Sequence, residues 1–277
     1  ELQKYGEKLM TNKIGAIVAI EPSSGEILSL ISSPNYNLNL LTGRKRSENY
    51  TSLSKDPNKP LFNRALQGNY PPGSIFKLVN GLIALQEGVI TKKNLFNCID
   101  GYEYDKERMI KCHPHISPVN LIKAIEISCN SYFCNAFDKY FKNFNNSATA
   151  YNNWYSHLRS FGIGDYLNND FISGNPGKLP KHTYYDEIYR GSWNANTIIS
   201  MAIGQGELLL TPIQMANMTA IIANRGYYYT PHIIKKIEGK NEIDSIFKIK
   251  RFSSIHSQYF IPIINGMEKV VYGSHGT

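Results

Sequence analysis

Apolar residues first gather in two short runs, "IGAIVAI" (14–20) and "EILSLIS" (26–32), parted by the Pro/Ser/Gly turn "EPSSG". Two β-like runs flanking a tight turn predict an antiparallel hairpin. From 35 to 60 the chain is polar and rich in turn formers, which predicts a long loop. At "PPGSIFKLVNGLIALQEG" (71–88) the pattern changes. Pro-Pro-Gly stops the preceding segment, apolar residues recur at three-to-four spacing, and Gly88 closes the run, so a helix is predicted. Residues 95–118 read as a hairpin or loop flanked by Cys98 and Cys112. Helical period returns in "NLIKAIEISCNSYFCNAFDKYF" (120–141), with an interruption near Ser128. "FGIGDYLNNDFISGNPGKLP" (161–180) is turn and loop. "NANTIISMAIGQGELLLTPIQMANMTAIIANRG" (194–226) predicts helix again, broken at Gly204-Gln205-Gly206 and stopped at Gly226, before "YYYTPHIIKKIEG" turns extended. Strands at the front, a helical middle and strands resuming late make an α/β (α+β) chain, its sheet assembled from distant parts.

The 277 residues suffice for one large domain or two ordinary ones. With 42% apolar and 19% charged residues the composition is globular and not disordered. Thirty Lys and Arg against 22 Asp and Glu leave +8, which suits an anionic partner such as nucleic acid, a membrane surface or a carboxylate-rich polymer. Nucleic acid is not expected, because the basic residues are scattered and no zinc-finger, helix-turn-helix or RNA-binding aromatic signature accompanies them. No apolar run reaches the roughly 18–20 residues that span a bilayer, and no signal peptide opens the chain. "ELQKYGEKLMTNK" instead reads as the polar end of a helix already under way. Residues 1–13 are therefore expected to end a linker, with 14–277 forming one domain that is incomplete at its C-terminus.

Ser-x-x-Lys, the spacing of a serine nucleophile and a lysine base, occurs at Ser52–Lys55, Ser74–Lys77 and Ser245–Lys248. The two side chains share a face only on a helix. Ser52 and Lys55 fall in the predicted loop. Ser245 and Lys248 fall in "EIDSIFKIKRF", whose alternation reads as a strand that would point them to opposite faces. Both pairs are expected to be surface polar residues. Ser74 follows Pro-Pro-Gly at a helix start, where unpaired N–H groups and the positive helix end favour a developing oxyanion. Lys77, between Phe76 and Leu78, is placed for partial desolvation and hence for a lowered pKa. An ordinary helix N-cap would explain the serine but not the lysine beside it. Ser-x-Asn recurs too. Of Ser33–Asn35, Ser47–Asn49, Ser128–Asn130 and Ser192–Asn194, only Ser128-Cys129-Asn130 is set in a strongly apolar helical context, where a buried hydroxyl and amide need partners.

A Ser-x-x-Lys helix followed by a separate Ser-x-Asn is the combination of serine penicillin-binding proteins and class A β-lactamases. "GAIVAIEPSSGEILSLISSPNYN", "NRALQGNYPPGSIFK", "AIEISCNSYF" and "IGQGELLLTPIQMANMTAIIANRG" resemble, in that order, the transpeptidase domain of class B penicillin-binding proteins. Tyr-Pro-Pro-Gly-Ser is most similar to the elongation-type members as opposed to the septal ones. The resemblance implies a helical subdomain plus an antiparallel sheet. It implies that Ser74 attacks the penultimate D-Ala carbonyl of a D-Ala-D-Ala stem peptide, Lys77 takes its proton, and Ser128 passes that proton toward the departing D-Ala. Asn130 would bind the substrate amide and steady Lys77. An amine of a neighbouring strand would take the acyl group, and β-lactams would trap Ser74; no cofactor is called for. The resemblance also implies a periplasmic catalytic domain held at the inner membrane, with a membrane glycosyltransferase as partner through regions outside this sequence. One departure stands out: no Lys-Ser/Thr-Gly occurs, and "GSHGT" ends the chain where the family places a phrase just ahead of it. The isolated 277 residues are thus expected to leave hairpin edges and half its apolar face open, to dissolve poorly and not to acylate. Other readings remain: a β-lactamase or β-lactam sensor of the same fold, or a catalytically silent cell-wall scaffold.

Cys98 and Cys112 bracket "IDGYEYDKERMIK", and Cys112 leads into "CHPHISP". A metal site from Cys98, Cys112, His113 and His115 looks cramped, since adjacent ligands rarely reach one ion. A Cys98–Cys112 disulfide is the favoured expectation for an exported domain, worth about 3 kcal/mol by loop closure, with free thiols as a third option. No metal ligand is assigned. Cys129 and Cys134 fall on an apolar helix and read as core, as do Trp154 and Trp193, although a substrate groove could use the aromatics.

Overall fold

The computed structural model describes residues 1–239 and 243–277. Helix α1 (Leu2–Leu9) leads into the expected hairpin, β1 (Gly15–Ile20) against β2 (Ile27–Ser33), with Ile17 opposite Ile31 and Val18 opposite Leu30. Side chains alternate between the two faces, and each face is covered in part. Val18, Ile20, Ile27 and Leu30 pack with Leu66, Leu167 and Ile213, while Ile31 on the other face is buried beneath α1 at Gly6. Every β1 residue stays partly exposed and Leu28 is 46% exposed, so the apolar surface of the hairpin is part open, as expected. Among the described residues β1 still pairs with β2 alone, so one edge is open as expected.

The predicted loop over 35–60 is instead a 3-10 turn (Leu38–Leu41) and a helix, α2 (Arg46–Lys55). Its sequence, RSENYTSLSK, is polar all round but holds no Gly or Pro, and Glu48 early and Lys55 late suit the helix dipole. Asn63 caps α3 (Arg64–Gln67) by accepting from the Ala65 and Leu66 N–H groups. The predicted helix at Pro-Pro-Gly begins as a 3-10 turn (Gly73–Phe76) and continues as α4 (Lys77–Gln86). The 95–118 segment contains the hairpin β3 (Gly101–Asp105) and β4 (Arg108–Lys111). The helical stretch after it is split at Ser128 into α5 (Leu121–Glu126) and α6 (Asn130–Lys142). Then come α7 (Ser147–Ser160), α8 (His182–Tyr189), a 3-10 segment (Ala195–Ile203), and α9 (Pro212–Ala223) with a Thr211/Gln214 capping box.

Two late expectations fail. The extended stretch after Gly226 forms only the short pairing of β5 (Tyr227–Tyr228) with β6 (Arg251–Phe252). The alternation around Ser245 is a 3-10 turn (Ser245–Phe247), because the Asp244 side chain accepts from the Ile246 N–H and starts a turn there. The chain then closes with an unforeseen helix, α10 (Phe260–Tyr272). Gly266 lets α10 meet α5: a Cβ there would lie 2.8 Å from the Ile125 side chain. The main core gathers the apolar faces of α4, α5, α6, α7, α9 and α10 around Phe76, Tyr132 and Trp154, each at most 1% exposed. Among the described residues no helix is long and apolar enough to cross a membrane.

Candidate active site

The three Ser-x-x-Lys pairs separate by environment. Ser52 and Lys55 share a helix face after all, yet both lie exposed on the polar α2. Ser245 and Lys248 are exposed on a turn and not on a strand. Ser74 is exposed within the Gly73–Phe76 turn, whereas Lys77, at the start of α4, is 3% exposed. The residue at the N-cap is Pro72, so capping does not account for Ser74.

This turn is held from behind by the Gly204 break. The Gly73 N–H donates to the Gly204 carbonyl at 2.9 Å. Gly204 has φ +70°, and a Cβ on it would lie 2.3 Å from the Gly73 oxygen and 2.7 Å from the Phe76 Cβ. Only glycine tolerates both that backbone and that approach.

Lys77 Nζ donates to Ser128 twice, to its carbonyl at 2.7 Å and to its Oγ at 2.9 Å. The Phe133 ring lies 5.9 Å from the ammonium. Burial is the main influence on Lys77 and lowers its pKa from 10.5 to about 8, opposed by the neighbouring Cys112, Cys129 and Cys134 thiols. Ser128 occupies the break between α5 and α6 with φ +51°, a region that non-glycine residues rarely enter. That backbone aims both of its oxygens at Lys77, so a buried lysine grips Ser128, and Ser74 stands three residues ahead of that lysine on the preceding turn. Asn130 departs from the expectation. Its Nδ2 donates to the Lys111 carbonyl at 2.8 Å, so its amide is tied to β4 while Lys77 spends its hydrogen bonds on Ser128.

The rival Ser-x-Asn sites are structural. Ser33, in a turn-rich polar stretch, is nevertheless buried and donates to the Lys13 carbonyl at 2.6 Å. Asn49 donates to the Leu40 carbonyl, and Asn194 caps the Ala195–Ile203 segment. A further match that the sequence reading passed over, Ser173–Asn175, lies in the loop before α8, with Ser173 exposed.

The cysteines are all free, so the expected Cys98–Cys112 disulfide is not formed. Instead Cys98, Cys112, Cys129 and His115 bring their ligand atoms within 4.8 Å of one another. Cys112 Sγ and Cys129 Sγ are 3.9 Å apart, close to the ~3.8 Å that two Zn–S bonds of about 2.3 Å subtend in a tetrahedron. His115 Nδ1 engages the Ile116 carbonyl at 2.7 Å, and its buried Nε2 has no hydrogen-bond partner. A protonated Nδ1 leaves the Nε2 lone pair to a ligand. The Cys112 thiol is lowered, chiefly by the hydrogen bond from Cys129 and by backbone N–H groups at the start of α6. Three soft donors and an imidazole fit Zn²⁺. The set corrects the sequence reading: His115 takes part where His113 was paired with it, and Cys129, assigned to the core, turns its sulfur to the cluster. Cys129 stands at the Ser128 break as the N-cap of α6, and no local spacing signals its partners.

The family described as penicillin binding protein transpeptidase domain matches residues 15–277. Peptidoglycan D,D-transpeptidase MrdA of Acinetobacter baumannii is 35% identical over 243 residues, covering 86% of this chain and 34% of that protein. MrdA of Escherichia coli K12 is 31% identical over 285 aligned positions, covering 100% of this chain and 43% of the relative. The chain thus spans well under half the length of these curated relatives. Among solved structures, Pseudomonas aeruginosa PBP2 in complex with WCK 5153 superposes with a TM-score of 0.86 at 29% identity, covering 99% of this chain and 61% of that one. Helicobacter pylori PBP2 in complex with MreC gives 0.80 at 28% identity, covering 99% of this chain and 48% of that one. With the Ser74, Lys77 and Ser128 arrangement set in this fold, the chain belongs to the penicillin-binding protein transpeptidase family.

Proposed function

We propose that the chain carries the acyl-transfer machinery of an elongation-type peptidoglycan D,D-transpeptidase, with residues 14–277 as its transpeptidase domain and 1–13 as the end of a linker. The carrying observation is Lys77: an ammonium 3% exposed, bonded to the Ser128 Oγ at 2.9 Å, one turn after an exposed serine. With a pKa of about 8, roughly a tenth of Lys77 is neutral at pH 7, against well under a thousandth for a free lysine. Neutral Lys77 takes the Ser74 hydroxyl proton as Oγ attacks the penultimate D-Ala carbonyl of a stem peptide. The Ser74 N–H, at a helix start, faces the oxyanion, a contribution of roughly 3 kcal/mol per donor. Ser128, already hydrogen-bonded to Lys77, relays the proton to the leaving D-Ala nitrogen, and the C–N bond breaks to give the acyl-enzyme. An amine from a second stem peptide then attacks the ester, returning the Ser74 proton and closing the cross-link. Asn130, anchored on Lys111, supports the substrate amide from the rim.

A β-lactam meets the same Ser74 and stops at the ester. The likeness to peptidoglycan D,D-transpeptidase MrdA and to PBP2 in complex with MreC supports work on peptidoglycan beside an elongation partner; the periplasmic setting at the inner membrane and a glycosyltransferase partner belong to the same proposal. The test is labelling of the natural gene product with a fluorescent penicillin. Stable labelling that Ser74→Ala abolishes, and that Lys77→Met and Ser128→Ala each reduce at least a hundredfold in rate, is expected. Equal labelling of Ser74→Ala would overturn the assignment.

A further inference from the structure

Asn80 is a polar residue inside the apolar run of α4, one turn beyond Lys77 and 7% exposed. Its whole amide is used. Nδ2 donates to the carbonyls of Met201 and Ala202, each at 3.0 Å, and Oδ1 accepts from Trp154 Nε1 at 2.8 Å. Trp154 also packs edge-on against Phe76, in the nucleophile turn, and against Phe137, on the helix that begins with Asn130. Met201 and Ala202 lie just ahead of Gly204, whose carbonyl holds the Gly73 N–H. The contacts close a ring: nucleophile turn to Gly204, back along 201–202 to Asn80, and up α4 to Lys77 and Ser74. A leucine would fill the same space without fixing any registry, whereas a fully satisfied buried amide specifies one.

We infer that Asn80, oriented by Trp154, is a positioning residue that sets the registry of Ser74 and Lys77 against the Gly204 segment. This rests on the acyl-transfer reading above. Its effect is on the chemical step: binding surfaces are untouched, but a turn displaced by a fraction of an ångström no longer presents Ser74 to its base. The sequence offered one signal, an asparagine where the helical pattern asks for an apolar residue.

Acylation of the natural gene product by a fluorescent penicillin, resolved into binding and bond formation, tests this. Asn80→Leu is expected to lower the acylation rate constant at least tenfold with the binding constant within twofold. Ile83→Ala, a buried change on the same helix that lowers the melting temperature without touching the ring, is expected to keep its rate within twofold. Trp154→Phe removes the N–H together with part of the buried ring, and is expected to fall about threefold, whereas Phe137→Leu, which trims the same packing and leaves the N–H, is expected to stay within twofold; this pair carries the test should Asn80→Leu not fold. Equal losses in Asn80→Leu and Ile83→Ala, or an unchanged rate in Trp154→Phe, would overturn the inference. If the wild type takes no penicillin, the enzymatic reading fails. Amide exchange over 73–77 then decides the brace: faster in Asn80→Leu than in Ile83→Ala supports it, and equal exchange overturns it.

Discussion

Replacing Gly204 with alanine isolates the contact that seats the Ser74 turn. Two effects add. The first is conformational: at φ +70° a Cβ crowds the following carbonyl, about 1–2 kcal/mol. The second is steric. The new Cβ would stand 2.3 Å from the Gly73 oxygen and 2.7 Å from the Phe76 Cβ, and the nearest atom is backbone, which cannot rotate away. Ordinary contact begins near 3.4 Å, so the Gly73–Phe76 turn must retreat by about an ångström, an overpacking cost of about 1–3 kcal/mol. Gly191 supplies the control, since its φ is +74° and a Cβ there meets nothing within 4 Å. Urea unfolding of the 277-residue chain should show Gly204→Ala destabilised by about 2–5 kcal/mol and Gly191→Ala by about 1–2, with unchanged m-values. Penicillin labelling of the natural gene product should slow at least tenfold in the first variant and stay level in the second. Equal destabilisation of the two, or normal labelling of Gly204→Ala, would refute the claim that the Gly204 approach seats Ser74.

Lys77 makes stability depend on pH with a definite sign. Its folded pKa of about 8 lies below the usual 10.5, so the folded state resists the proton. Below pH 8 both states carry the charge and the full penalty, about 3 kcal/mol, stands. Between pH 8 and 10.5 the unfolded chain holds a proton that the folded one lacks, and stability from this group rises with pH. Lys77→Met should therefore melt higher than wild type at pH 7 and lose that advantage near pH 10.5, while wild-type acylation climbs through about pH 8; a flat difference between the two proteins would contradict the burial argument. The Cys98, Cys112, His115 and Cys129 cluster should carry one zinc per chain by elemental analysis, and a chelator should lower the melting temperature by several degrees, with Cys129→Ala insensitive. Zinc-free protein with an unchanged melt would remove the metal reading. Asn130→Ala should cost about 1 kcal/mol through the lost Lys111 bond, read by denaturant midpoint. The isolated 277 residues, which contain no Lys-Ser/Thr-Gly, should not form a stable penicillin adduct, and one that persisted would show that motif to be dispensable.

What was legible followed from local rules. Alternation and a turn marked the β1–β2 hairpin, Pro-Pro-Gly marked the start of the Ser74 segment, and glycines marked the Gly204 break. Ser128 stood out as a hydroxyl in an apolar helix, and the structure breaks the helix there. What escaped was non-local or lacked contrast. The polar α2 has no apolar stripe and so looks like loop, although nothing in it breaks a helix. The metal cluster draws on segments around 98, 112–115 and 129, and only the fold brings them together. Asn130 has a choice of partners that spacing cannot resolve, and β4 supplies the carbonyl that takes its amide.

The β3–β4 hairpin ends in the hydrogen bond from Asn130 Nδ2 to the Lys111 carbonyl, and the next residue, Cys112, receives the N–H groups of Asn130 and Ser131 on its sulfur. Its other flank is fastened through the Tyr104 carbonyl and the Tyr102 hydroxyl to Asn196. Such a ribbon is a lever with its fulcrum at the Asn130 end of α6. A tug at its solvent-facing tip arrives, without any intervening loop to absorb it, at the first residue of the helix that follows Ser128.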